Sequence, residues 1–229
     1  MISLTPIQTL KIPRFRNLIT GRFFLVLSFR MLATLMGWWI YQLTKDPFAI
    51  GLIGLSEVIP AVSTALYAGH VIDNSEKKKL LLICNYVYVI LISLLIIPAF
   101  FGNQLLHFSN KEISYFIYMV IFFTGFCRAF LGPIIPSMIP KIVSKETLPN
   151  AITINQGTFL TASVAGHAIG GFLIHWIDIS GTILVILGLM IFSSLFFWML
   201  KKHPSENTER EIGVVQSMRE GIAYIYKTK

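Results

Sequence analysis

The chain has 229 residues, of which 55% are hydrophobic and only 13% charged, with a formal net charge of +8. Soluble domains carry roughly 25% charged residues, so too few polar side chains are present to cover a water-facing surface, and a soluble globular domain is excluded. The mean hydropathy of +0.70 agrees; the basic residues fall in short loops and the tail, not on one soluble face, so nucleic acid is not an expected partner.

Lys11, Arg14 and Arg16 precede an apolar stretch too long for a signal-peptide core and without a small-x-small cleavage pattern, so a cleaved leader is not expected. The first span covers 20–43 and is broken by Lys45-Asp46-Pro47. The second covers 48–70 and ends before Asp73-Asn74-Ser75-Glu76-Lys77-Lys78-Lys79. The third, 80–101, lies in a run from Leu80 to Asn110 free of Asp, Glu, Lys and Arg, and closes at Gly102-Asn103. The fourth covers 114–134, with a loop from Pro140 to Asn150. The fifth and sixth, 151–176 and 181–200, fill two more uncharged runs on either side of a tight turn at Asp178-Ile179-Ser180-Gly181. Spans of this length cross a ~30 Å hydrocarbon core at about 1.5 Å per residue, which predicts an all-α, polytopic membrane protein. Beyond Leu200, Ile212, Val215, Met218, Ile222 and Ile225 recur at helical spacing after a polar stretch, and predict a surface amphipathic helix. The expected division is a bundle over 1–200 and a cytoplasmic linker over 201–229.

Outside the spans, fourteen Lys and Arg lie before the first span, in the second and fourth loops and in the tail, whereas Lys45 and Lys111 alone lie on the opposite side. The positive-inside rule then orients both termini to the cytoplasm, which requires an even number of spans, and six satisfies it.

A charge at the centre of a span costs at least ~2.5–3.5 kcal/mol on insertion scales and needs a partner or a wet cavity. Arg30, Glu57 and Arg128 are such charges, and each lies on a stripe of small or polar residues at helical spacing. The stripes are Arg30, Thr34, Gly37, Tyr41 and Thr44 in the first span, Gly54, Glu57, Ala61, Thr64 and Ala68 in the second, and Gly125, Arg128 and Gly132 in the fourth. The fifth adds Gln156, Ser163, Gly166 or His167, and Gly170, while the third and sixth are uncharged and bulky, as suits lipid. Two inner helices and one outer helix, repeated, predict inverted 3+3 triplets, a recurring transporter design. His70-Val71-Ile72-Asp73-Asn74-Ser75 and His175-Trp176-Ile177-Asp178-Ile179-Ser180, after the second and fifth spans, echo each other in the same sense.

Plainer readings stand beside these. Glu57 and one arginine are alternatively a structural pair, weak as a stabiliser because desolvation offsets the attraction. Arg30 alternatively snorkels to an interface, although it lies roughly 12 Å deeper than Arg22 along a straight helix. His167 is alternatively a packing residue, and Gly166-x-x-x-Gly170, with Gly171 beside it, a close-packing helix face. Cys84 and Cys127 lie in apolar runs without disulfide or metal spacing, so no metal and no cofactor is expected.

Gly69-His70-Val71-Ile72-Asp73-Asn74-Ser75-Glu76-Lys77-Lys78 resembles the loop signature between the second and third helices of the major facilitator superfamily: Gly69, Asp73, Lys77 and Lys78 match, while Asn74 and Glu76 replace the usual arginine and glycine. Arg128-Ala129-Phe130-Leu131-Gly132 resembles the fourth-helix motif whose arginine is implicated in proton coupling. Gly166-His167-Ala168-Ile169-Gly170-Gly171 resembles the fifth-helix antiporter motif, with His167 in place of its proline. Phe15-Arg16-Asn17-Leu18 through Gly21-Arg22-Phe23, and Trp38-Trp39-Ile40-Tyr41-Gln42-Leu43-Thr44, look like the opening of the drug- and siderophore-exporter branches. The resemblance implies half of a twelve-helix fold, a fragment whose Val215 to Lys229 would lead into a missing C-terminal six-helix half. It further implies alternating-access transport of a small-molecule substrate by efflux from a bacterial-type inner membrane, with Glu57 the titratable candidate if protons couple.

The rival readings are a homodimeric half-transporter, an intramembrane enzyme and a channel or scaffold component. The sequence offers no serine-nucleophile elbow, HExxH, voltage-sensor helix or filter-like loop to favour the last two, so no enzyme activity is expected.

Overall fold

The computed structural model describes residues 9–101 and 108–200. The expected tail helix and the third loop at Gly102-Asn103 lie outside these residues. The described residues form α1 (Pro13–Thr44), α2 (Pro47–Asn74), α3 (Lys77–Ser93), α4 (Ile96–Phe101), α5 (Asn110–Ile142) and α6 (Leu148–Trp198), and contain no strand. Among the described residues, five helices are long and apolar enough to cross a membrane, α3 and α4 counting together as one.

The breaks follow local chemistry. Lys45 ends α1 in the left-handed region (φ 56°), its N–H donating to Tyr41 O at 2.8 Å. Asp46 then caps α2 by accepting from Phe48 N at 2.9 Å, and Pro47 occupies the first turn, where a missing N–H costs nothing. A reciprocal capping box between Ser109 and Glu112 opens α5.

Two expected boundaries are corrected, and the third span, still one crossing over Lys77–Phe101, is interrupted within it. The third span divides at Leu94–Leu95 into α3 and α4, because Pro98 has no N–H to give the Leu94 carbonyl. The fourth continues to Ile142 through Pro133, Pro136 and Pro140; buried Ile134, Ile135 and Ile139 hold that stretch against its neighbours. The first begins at Pro13 instead of residue 20, since the helix outlasts the apolar run into the interface.

α6 is 51 residues long, about 77 Å if straight and far more than one crossing needs. It reverses at Ile177 and Asp178, whose φ of −127° and 57° leave the helical region. The contacts on α1 establish the reversal. Arg22 lies over Phe159, Arg30 meets Ser163 and Gly170 approaches Met31, so the first arm runs parallel to α1. Ser193 donates to Gly21 O at 2.7 Å and Phe197 packs beside Gly21, so the second arm runs back. The tight fifth turn of the sequence is this reversal, and the bundle has six crossings.

α1 packs along both arms of α6, and α2 packs along α5. Exchanging α1 with α5 and α2 with the first arm of α6 maps one seam onto the other, the relation expected of two inverted triplets. Glycines make both seams close. A Cβ on Gly166 would stand 2.6 Å from Arg30 Cβ and 2.8 Å from Leu27 O, and one on Gly125 would overlap the Glu57 carbonyl and Pro60. Gly170 lies on the same face against Met31; Gly171 has no described residue within reach.

Candidate functional site

Glu57, Arg128 and Arg30 all sit near the middle of their helices, roughly 15 Å or more from either end. At that depth no bulk water screens a charge, so the neighbours decide its state.

On the α2–α5 seam, Arg128 Nη1 donates to Glu57 Oε1 in a direct ion pair whose side chains remain about a quarter exposed, 27% and 23%. Gly125, one turn before Arg128, allows this approach by leaving room for the α2 backbone. The Arg128 guanidinium lies 5.0 Å over the Phe29 ring, and Phe29 packs at 4.8 Å against the buried ring of Tyr88. These groups line a cavity of about 200 Å³ between α1, α2, α3 and α5, with Gly37 and Gly54 also on its wall. The result is an ion pair on the wall of a pocket, each charge held by its partner.

Arg30 and His167 do not line that cavity. They lie on the α1–α6 seam, where Arg30 Nε donates to Ser163 Oγ at 3.2 Å and the guanidinium sits 5.4 Å over Phe159. One turn on, Thr34 Oγ1 is 2.8 Å from Nδ1 of the exposed His167. No described carboxylate pairs with Arg30. Sequence reasoning passed over Arg22, which used only as a depth marker proves to be a second cation of this seam. It is 9% exposed, lies 5.8 Å over the same Phe159 ring, and has Nε and Nη1 without hydrogen-bond partners. Its charge within a span was the available signal; nothing in the spacing singled out Phe159.

The loop residues act at the basic end of the bundle. Lys77 Nζ lies 4.0 Å from Asp73 Oδ1 and donates to Ile72 O at 2.8 Å, and Lys78 Nζ donates to Trp198 O at 2.7 Å. Both lysines thus satisfy terminal carbonyls of α2 and α6, where a cation also meets the negative end of the helix dipole. Asp73 is exposed and Gly69 has no described residue near its missing Cβ. Buried Asn85 on α3 donates to Ser194 Oγ at 2.7 Å, a link between two uncharged spans that hydropathy does not reveal. Among the described residues, no group of three or more His, Cys, Asp or Glu converges as a metal site would require.

The family model described as the Major Facilitator Superfamily matches residues 18–228. The chain is 26% identical over 232 residues to the "Uncharacterized MFS-type transporter YkuC" of Bacillus subtilis (strain 168), covering 93% of this chain and 52% of that protein. It superposes on the in meso crystal structure of the POT family transporter PepTSo with a TM-score of 0.66 at 14% identity, covering 94% of this chain and 47% of that one. The second likeness is one of fold. The chain spans about half the length of the relatives it matches.

Proposed function

The chain belongs to the major facilitator superfamily, and from that premise we propose that it is the N-terminal six-helix half of a secondary transporter, working against a second six-helix half by alternating access. The carrying observation is the Glu57–Arg128 pair on the wall of a mid-depth cavity, at a seam built from two of the inverted triplets' inner helices. Family and relative are transporters, not enzymes.

In this reading the eight basic residues from Lys11 to Lys145 at one end of the described bundle face the cytoplasm, and Lys45 and Lys111 face outward. The membrane is a bacterial cytoplasmic membrane, and the direction is efflux, in keeping with the exporter-like opening of α1. Protons couple through Glu57: protonation releases Arg128, whose freed guanidinium then favours the alternative arrangement of α5 against α2. His167 and Arg30 contact solute from the neighbouring seam, and the loop of Gly69, Asp73, Lys77 and Lys78 braces the cytoplasmic ends between states.

The test is flux in proteoliposomes under an imposed pH gradient, with the chain supplied together with its second half. Wild-type protein is expected to accumulate solute in a protonophore-sensitive way, and Glu57→Gln to lose gradient-driven accumulation while keeping passive exchange. Full proton-driven flux in Glu57→Gln rules out the coupling role. Cysteine crosslinking along the exposed α2 face at Val58 and Val62 distinguishes partners: a product of twice the chain mass indicates a homodimer instead of two unlike halves.

A further inference from the structure

Resting on the transport reading, we infer that the solute is an organic anion and that Arg30 on the α1–α6 seam takes its carboxylate, with Ser163 completing the contact.

The argument begins with charge. Away from the helix ends and the α6 reversal, the described spans carry Arg22, Arg30 and Arg128 against one acid, Glu57. Glu57 is bound by Arg128. Arg22, near the start of the span, and Arg30, roughly 12 Å deeper, are therefore left with no described counter-charge, and the deeper one carries the larger cost of a buried cation. Hydrogen bonds relieve them only in part. Arg22 is nine-tenths buried with two guanidinium nitrogens unpartnered, and Arg30 gives only Nε to a neutral hydroxyl. A bound anion is the species that would offset this excess.

Geometry selects Arg30 as the point of capture. It is half-buried while Arg22 is enclosed, so an incoming group reaches Arg30 first. Its guanidinium lies over the Phe159 ring, which covers one face. Nε is committed to Ser163, so the terminal Nη pair remains for a bidentate carboxylate. Ser163 accepts from Nε and so retains its own proton to donate to a ligand oxygen. Thr34 and His167 stand one turn further along α1 and α6 and extend the polar strip. A carboxylate fits this combination.

Benzoate and benzamide are suitable probes, being near-isosteric and differing in charge. Equilibrium binding of radiolabelled benzoate to the full chain in lipid nanodiscs is expected, with benzamide at least about tenfold weaker and Arg30→Gln losing about tenfold or more. Arg30→Lys should keep part of the affinity, since it preserves the charge and loses the fork. Ser163→Ala should weaken binding several-fold, about the loss of one hydrogen bond to a charged group, and it carries the comparison if Arg30→Gln does not fold. Absent benzoate binding, equal binding of benzamide, or unchanged binding in Arg30→Gln with Ser163→Ala overturns the inference. Flux through proteoliposomes separates the two readings. Arg30-dependent binding without flux keeps the anion site and removes transport, whereas solute flux indifferent to Arg30 keeps transport and removes the anion site.

Discussion

The two seams of the bundle are structural mates with opposite electrostatics. Each joins helices of different triplets, each closes over a glycine, and each carries an arginine near mid-depth. On the α2–α5 seam Arg128 is neutralised within the chain by Glu57; on the α1–α6 seam Arg30 meets a hydroxyl and an aromatic face. The difference teaches that equal depth and similar packing do not give equal roles. A cation with a built-in counter-ion joins two helices through its charge, whereas a cation without one joins them through a hydroxyl and a ring.

Stability measurements on single substitutions would break this contrast most directly. Arg128→Ala strands Glu57 and is expected to cost about 3 kcal/mol, whereas Arg30→Ala strands no acid and should stay within about 1 kcal/mol of wild type. Reversible unfolding in mixed micelles checks both, and equal losses would mean the seams are electrostatically alike. Packing should separate positions next. Gly166→Val drives a side chain into the Leu27 backbone and should cost about 2 kcal/mol, while Gly171→Val, with open space at its Cβ, should be nearly silent in the same assay. Neutralising both partners sharpens the reading of the first seam: Glu57→Gln with Arg128→Gln should recover all but about 1 kcal/mol of the single-mutant loss, because no uncompensated charge remains. A double mutant as unstable as Arg128→Ala would show that the pair acts through shape. The smallest effect is expected at Thr34→Val, which removes the hydroxyl beside His167 and should cost about 0.6 kcal/mol, typical of an interhelical hydrogen bond in a membrane.

Much of this molecule was legible before any coordinates. The Lys45-Asp46-Pro47 break, where Asp46 caps and Pro47 opens the next helix, and the Asp178 turn both occur where expected. The division of α3 from α4 was less visible, because Pro98 acts on a carbonyl four residues earlier inside an unbroken apolar run. The site was legible as an inventory of charges, and Arg22 was in that inventory without being weighed.

What the sequence determined by itself is what each helix does against the bilayer: the crossings, the basic end, and which side chains are too costly to face lipid. Those are properties of a single segment in its solvent. Only the tertiary structure decided that Glu57 belongs to Arg128 and not to Arg30, and that both arms of α6 lie on α1. Pairing depends on the rotation of each helix about its axis and on neighbours 71 or 133 residues away in the chain. No periodicity within one helix records which face its partner presents.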